Sequence, residues 1–595
     1  MTRRRYAGRR RSVGAVALVA LTLAGCGGLS TNGPVQPGLE VGSGAQVDLR
    51  VIFPGPGRGA TEVEIVQGFL GAGAATGDGA YDTARSYLDT AAAEAWDPDR
   101  QITIVRSAGD VVTRLVEPGT VEVTAAVVAR VDAAGRYTAA SPGATVTGRF
   151  RMAQVGGEWR ISGLPKDTGR WILRSDQSRL IRPYAVHYVA TGQRTLVPDI
   201  RWLPLDRLST RLARAQLRSV PEHLRGAAAN AIPEGARLAG DAVTITDGLA
   251  TVNLASVRLP TDEQVRQNVW AELVATLTQD PEVDEVTIQV EGASLELPRV
   301  EGPISDPTEV GFPTPPLVDL APPVVRRGAE VSLFDAGIAS GFDPRPTQSV
   351  TTYPQVPVTF SDLAQSARGT ELAAVDEDRR GLVRWVGGTE YEVPGFGSDL
   401  GDPAYDRRGF LWIGGVGAVN GRPIRLWVVD IAAPANDPER AAATPVQADW
   451  LSERRVTSAK VAPDGDLVVV LSTDGAGRAP RLDLAGVIRN EAGQPTALAP
   501  PVRLGAALTD PVGLAWLDDT TVATVAQFDG KRQAVVLGIG GAVQGLTEVV
   551  PAVAIATTGG ERSLHLTTPR GQILTRAGSQ WVAAGPGTDL AVAAG

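Results

Sequence analysis

The C-terminal part of the chain repeats one pattern: an apolar strand, a turn rich in Gly or Asp, and a second apolar strand. It occurs in "ELAAVDEDRRGLVRWVGG", "FLWIGGVGAVNGRPIRLWVVDI", "DLVVVLSTDGAGRAPRLDLAGV", "TVATVAQFDGKRQAVVLGI" and "RSLHLTTPRGQILTRAG". These segments begin at Glu371, Phe410, Asp466, Thr521 and Arg562, at intervals of 39, 56, 55 and 41 residues. A lone hairpin cannot bury its apolar face, so repeated hairpins must stack on one another. The intervals bracket the roughly 40–50 residues of a propeller blade. Turn signals stand before most of them, as in "DRRG" at 406–409 and "PDG" at 463–465. The pattern predicts an all-β propeller over 330–595 with about five to seven blades, the closing "DLAVAAG" adding a strand to the first blade. A stacked β-sandwich is the competing architecture.

The other end of the chain has a different logic. Six arginines and no acid occupy the first 25 residues, followed within that stretch by an apolar run over 13–23. Eleven helical residues rise only about 16 Å, too short for a hydrocarbon layer of about 30 Å. The run ends in Leu23-Ala24-Gly25-Cys26, and Cys26 is the only cysteine of the chain. This resembles the bacterial lipobox, in which the preceding segment is removed and the cysteine receives S-diacylglycerol and an N-acyl chain such as palmitate. The resemblance implies a signal peptide over 1–25, a lipidated Cys26 and a Gly/Pro-rich tether over 26–58. One acyl chain binds membranes marginally, and two or more anchor stably.

Between the tether and the hairpins the pattern is mixed. Over 59–165 helical spacing comes first: Val63, Val66, Phe69 and Leu70, then Ala84, Tyr87, Leu88, Ala91 and Ala95 in one longer helix. Four strand-like runs follow, "QITIVRS", "TVEVTAAVVARVD", "TVTGRFRMAQV" and "EWRISGL". This order of elements is similar to nuclear-transport-factor-like α+β cone domains, with Trp96 and Trp159 as core or pocket residues. Over 182–300 a second α+β unit is predicted, with an Asp247-Gly248 hairpin turn and a strong helix in "TDEQVRQNVWAELVATLTQ". The segments "ATVNLAS", "WAELVATLTQ" and "VDEVTIQVEG" resemble the GerMN domain. A proline-rich connector over 301–329 disfavours helix and interior strand.

Chemistry is sparse. The three histidines, His187, His223 and His565, are far apart, and a single cysteine excludes a multi-cysteine zinc site. Without the first 25 residues the formal net charge moves from −9 to −15, which argues against nucleic-acid binding. Asp262, Glu263 and Glu272 are an acid group on the strong helix, read as a cap and a solvated face. Asp464 and Asp466 in "PDGD" present calcium-type oxygens, read as a strand-connecting turn. "GIGGAVQG" at Gly538 reads as another propeller turn. No catalytic, metal or cofactor residue is assigned; the one site residue is Cys26.

Lipobox, cone-like unit, GerMN segments and propeller, in that order, resemble the LpqB-family lipoproteins of actinobacteria. The resemblance implies a non-enzymatic protein held by its lipid on the extracytoplasmic face of the cell membrane. There it would bind the extracytoplasmic domain of an MtrB-like sensor histidine kinase and modulate its two-component signalling, envelope homeostasis and division. The alternative is an envelope ligand-binding protein or hydrolase using the propeller face or the cone pocket.

Overall fold

The computed structural model describes residues 53–593 apart from 76–78, 80, 257, 259–260, 299, 301, 314–319, 336–352 and 550. The signal segment, Cys26 and the tether as far as residue 52 lie outside the described residues. Phe53 already packs on the first core, so the folded chain starts earlier than the expected residue 59.

The N-terminal domain sets helices against a strongly bent sheet. Helix α1 (Glu62–Ala72) opens with a capping box between Thr61 and Glu64, a device contributing about 1 kcal/mol. Ile65, Val66, Phe69 and Ala72 form the buried face, and the expected Val63 and Leu70 flank it, partly buried against the same core. The single helix expected next is two, α2 (Asp82–Ser86) and α3 (Thr90–Ala95). The break has two causes: Leu88 bridges Ile161, far away in sequence, and Asp89 restarts the helix by accepting from the Ala92 N–H at 2.8 Å. The sheet runs in the order 158–163, 145–155, 120–132, 101–105, 170–173, with 112–117 and 137–139 also paired to 120–132. Trp96 fills this core and donates to the Gly169 carbonyl at 3.0 Å.

The middle domain has two sheets. Ile181–Ala190 and Leu196–Pro204 form an antiparallel ribbon, and Leu249–Ala255 runs parallel to Glu285–Val290. Parallel neighbours need a crossover, which is α5 (Glu263–Leu277); α4 (Leu208–Gln216) packs beside it. Asp247 and Gly248 both have positive φ, 49° and 81°, as a tight I′-type hairpin turn requires. The expected connector is partly built into this core. Pro307 starts a short 3₁₀ turn, Pro307–Val310, and Val310 and Phe312 are buried against the domain. Proline suits that position because the first turn of a helix has no use for its N–H.

Four four-stranded antiparallel sheets, one five-stranded sheet and one three-stranded sheet form the propeller among the described residues. In the first, Phe360–Gln365, Glu371–Asp376, Leu382–Val386 and Thr389–Glu392 follow in order. The five hairpins read from sequence are the second and third strands of the four-stranded and five-stranded blades. The closing strand, Asp589–Ala591, does not join the first blade. It pairs with Val324–Arg327, which pairs with Glu330–Leu333, making a sixth sheet from both ends of the domain. The propeller therefore begins inside the expected connector. A nearly buried Arg326–Asp589 ion pair at 2.7 Å fastens the closure.

Candidate functional site

The three domains meet around the strand Leu196–Pro204. Its ribbon buries Val186, Tyr188 and Val197 in one apolar cluster with Leu467, Val469, Leu482, Trp516 and Leu537 of the propeller. Charge reinforces the joint. Asp466 accepts from the Thr195 hydroxyl at 3.0 Å and from Arg408 at 2.8 Å, and Arg408 also reaches Gln193 and the Asp464 carbonyl. On the other flank, Trp202 joins all three domains: its indole donates to the Gly540 carbonyl at 3.2 Å and its ring lies 5.0 Å from Tyr137 of the N-terminal domain. A Cβ on Gly540 would lie 2.4 Å from Ile200, and one on Gly541 2.7 Å from the Tyr137 carbonyl. Only glycine allows this approach.

Beside these contacts opens a cleft of about 1370 Å³ shared by all three domains. Arg106, Tyr137 and Pro142 come from the first domain, Ile200, Trp202 and Gln279 from the second, and Thr509, Phe528 and Gln544 from the propeller. Arg174 and Asp529 face one another across it at 3.9 Å, both well exposed. The lining mixes aromatic surface with amide and hydroxyl groups, the makeup of a binding surface.

A second cluster lies at the propeller axis. Arg379 pairs with Asp362 at 2.6 Å and lies 3.7 Å from Asp402, while Asp589 accepts from the Asp362 N–H at 3.0 Å. The walls around Asp402 push its carboxyl up to about 7, and Asp362 adds to this, against the pull of Arg379 and Lys460. The side chain nevertheless keeps 47% of its surface open. Among the described residues no group of His, Cys, Asp and Glu has metal-binding geometry.

The residues singled out from sequence separate into distinct places. Asp262 caps α5 by accepting from the Val265 N–H at 3.0 Å, and Glu263 is exposed in its first turn. Glu272 is not on a solvated face: it is fully buried, and its carboxylate accepts from the Val189 and Ala231 N–H groups. Burial raises its pKa well above 4.5, with those donors opposing. The signal was present, since Glu272 sits three residues after Val269 and four before Thr276, inside the apolar stripe. "PDGD" is a turn, with the Asp466 N–H donating to Asp464 Oδ1 at 2.9 Å and Gly465 at φ 86°. Burial and the nearby Asp466 lift Asp464 to about 7. Sequence reasoning missed that this turn and "GIGGAVQG" carry the joints between domains. His187 and His565 are pushed down to about 4 by burial, and burial outweighs Asp199 in lowering His223. The three stand on separate elements.

Comparison with known proteins follows this division. Residues 55–178 match the family "Lipoprotein LpqB, N-terminal domain", residues 185–296 match "Sporulation and spore germination", and 347–592 match "Lipoprotein LpqB beta-propeller domain". A lipoprotein LpqB of Thermobifida fusca is 32% identical over 299 residues, covering 48% of this chain and 47% of that protein. A lipoprotein LpqB of Cutibacterium acnes is 28% identical over 392 residues, covering 64% and 65%. The chain thus spans between about half and just under two thirds of the length of these relatives. Tandem GerMN domains of the sporulation protein GerM from Bacillus subtilis overlap at 21% identity, covering 22% of this chain and 46% of that one. Their TM-score of 0.17 is too low to carry an argument. With both LpqB-specific domains matched on either side of a GerMN unit, the chain belongs to the LpqB lipoprotein family.

Proposed function

We propose that this chain is a lipid-anchored extracytoplasmic protein that acts by binding, and that its partner is the extracytoplasmic domain of an MtrB-like sensor histidine kinase. Cys26 carries the anchor, and docking modulates the kinase and through it envelope homeostasis and division. The observation that carries the reading is the fused body: shared cores join middle domain and propeller, and the cleft at the joint presents all three domains to one partner. A tether raises the effective concentration of such a body near a membrane protein. Two measurements test it together. Cys26→Ala releases the protein from membranes or leaves an unprocessed precursor, and crosslinking in intact cells recovers a sensor kinase with the wild type. Retention of a matured variant on membranes, or recovery of cell-wall enzymes alone, overturns the reading.

The axial cluster favours a second reading, an envelope ligand-binding protein or hydrolase. A carboxyl near 7 beside an arginine and a lysine suits proton transfer at neutral pH. Under this reading Asp402→Asn abolishes ligand binding or turnover at the propeller axis while leaving kinase recovery unchanged.

A further inference from the structure

The N-terminal domain leaves a sheet edge open. Val112–Glu117 pairs with 120–132 on one side and with no strand on the other among the described residues. Its exposure does not alternate: Val112, Leu115 and Val116 are 58%, 48% and 40% exposed. They make up three of the ten large apolar side chains that stand exposed among the described residues, concentrated within one short strand. Proteins normally blunt such an edge with charge, proline or a covering element, because its unpaired backbone groups template another strand. Here the edge holds a bulge between Leu115 and Glu117, one arginine and one glutamate. That arginine, Arg114, and Arg149 both bind the single carboxylate of Glu122, at 2.6 and 3.0 Å, and both remain largely exposed. Two guanidiniums share Glu122, and Arg151, in the row Glu117–Thr120–Arg151, offsets the glutamate of the edge, so one positive charge is left over beside the apolar strip.

We propose that Val112–Glu117 is a strand-addition site that takes an extended segment of the membrane partner carrying apolar side chains and at least one carboxylate. The inference rests on the partner-binding reading above. Charge and backbone chemistry select this occupant. A lipid surface would have to receive the unpaired N–H and C=O groups of the edge, which hydrocarbon cannot satisfy. A second copy would bring the same strand and the same surplus positive charge, and so leave that charge unanswered. An incoming strand with an acidic residue satisfies the backbone, covers Val112, Leu115 and Val116, and answers the surplus charge.

The test uses the full-length protein in cells, with a photoreactive benzoylphenylalanine at position 115 and, in a separate strain, at position 544 in the cleft. The expected result is a crosslink from 115 to a kinase segment that contains Asp or Glu. Purified kinase extracytoplasmic domain should then protect alternate amides of 112–117 from hydrogen exchange. The Val112→Lys/Leu115→Lys double variant, whose changes lie at exposed positions, should weaken its binding at least tenfold while keeping the wild-type circular dichroism. Crosslinks from 115 to lipid or to a second copy, no crosslink, or no gain of amide protection overturns the proposal. Capture of the kinase from 544 alone overturns the edge and leaves the partner reading standing. Capture from 115 of an acidic strand of another membrane protein, with the same amide protection, supports the edge and overturns the kinase.

Discussion

Glu272 in the middle domain and Asp402 at the propeller axis are both carboxyls whose pKa the fold raises, and they are raised for different ends. Glu272 is 0% exposed, and its oxygens take the N–H groups of Val189 and Ala231, with the Gln216 amide nearby. It ties α5 to the ribbon and to the loop after Ala228–Ala229. Asp402 keeps about half its surface open, and its cationic neighbour Arg379 stands 3.7 Å away. The comparison teaches that a raised pKa alone does not identify a working group. What separates the two is whether every lone pair is already engaged by fixed donors. A carboxyl held by backbone donors is a structural tie; one facing water beside a cation at 3.7 Å can still change partners.

The largest expected effect follows from the tie. Glu272→Ala leaves two buried N–H groups without acceptors and a void beside them, and should cost about 3–5 kcal/mol in urea unfolding. Glu272→Gln keeps one acceptor oxygen and should cost about 1–2 kcal/mol. The pH dependence has a defined sign. The folded carboxyl holds its proton above the ordinary 4.5 at which the unfolded one loses it. Stability from this group therefore falls as pH rises past that value, and the Gln variant should lose that part of the slope. An Ala variant within about 1 kcal/mol of wild type would mean that the carboxylate ties nothing together.

Why Glu272 was misread explains how far a sequence reaches. Periodicity reports which residues share a face, and it placed α5, the long strand 120–132 and each propeller hairpin correctly. It does not report what a face meets. A glutamate in an apolar stripe looks like a tolerated charge until two backbone donors are found opposite it. The break at Asp89 was hidden for a related reason: Asp89 is a good cap, but the bridge from Leu88 to Ile161 that stops the preceding helix is 73 residues away in sequence. The cleft was illegible because its walls come from Tyr137, Trp202 and Phe528, on three domains. The edge strand 112–117 was missed because its apolar residues do not alternate, and alternation is what marks a half-buried strand.

Asp402→Asn sharpens the same comparison with a smaller effect. The folded carboxyl titrates at about 7 and the unfolded one near 3.8. Between those values the folded protein binds the extra proton, so stability falls as pH rises through the interval and levels off above 7. Solvent screening at a half-open carboxyl keeps this slope well below what the shift alone implies. The Asn variant should differ least from wild type near pH 4 and be slightly more stable at pH 8, measured as a difference in urea midpoints. A variant that loses stability equally at both pH values would make Asp402 another structural tie and remove the distinction from Glu272.

Asp529 extends the comparison to its exposed limit. It faces Arg174 across the three-domain cleft at 3.9 Å, with the two side chains 66% and 47% exposed. At that separation, in water and salt, the attraction is offset by the entropy of ordering two long side chains. Exposed pairs of this kind contribute about 0–1 kcal/mol. Arg174→Ala should therefore shift unfolding by less than about 0.5 kcal/mol, and the shift should vanish in high salt. The expectation is specific because the same domains are joined a short distance away by buried groups: Trp202 on Gly540, and Arg408 on Asp466. If the joint's strength lies in those contacts, removing Arg174 leaves the domains together and opens the cleft to a partner. If Arg174→Ala instead separates the domains in limited proteolysis, the exposed bridge holds the joint and burial is not what distinguishes the ties from the rest.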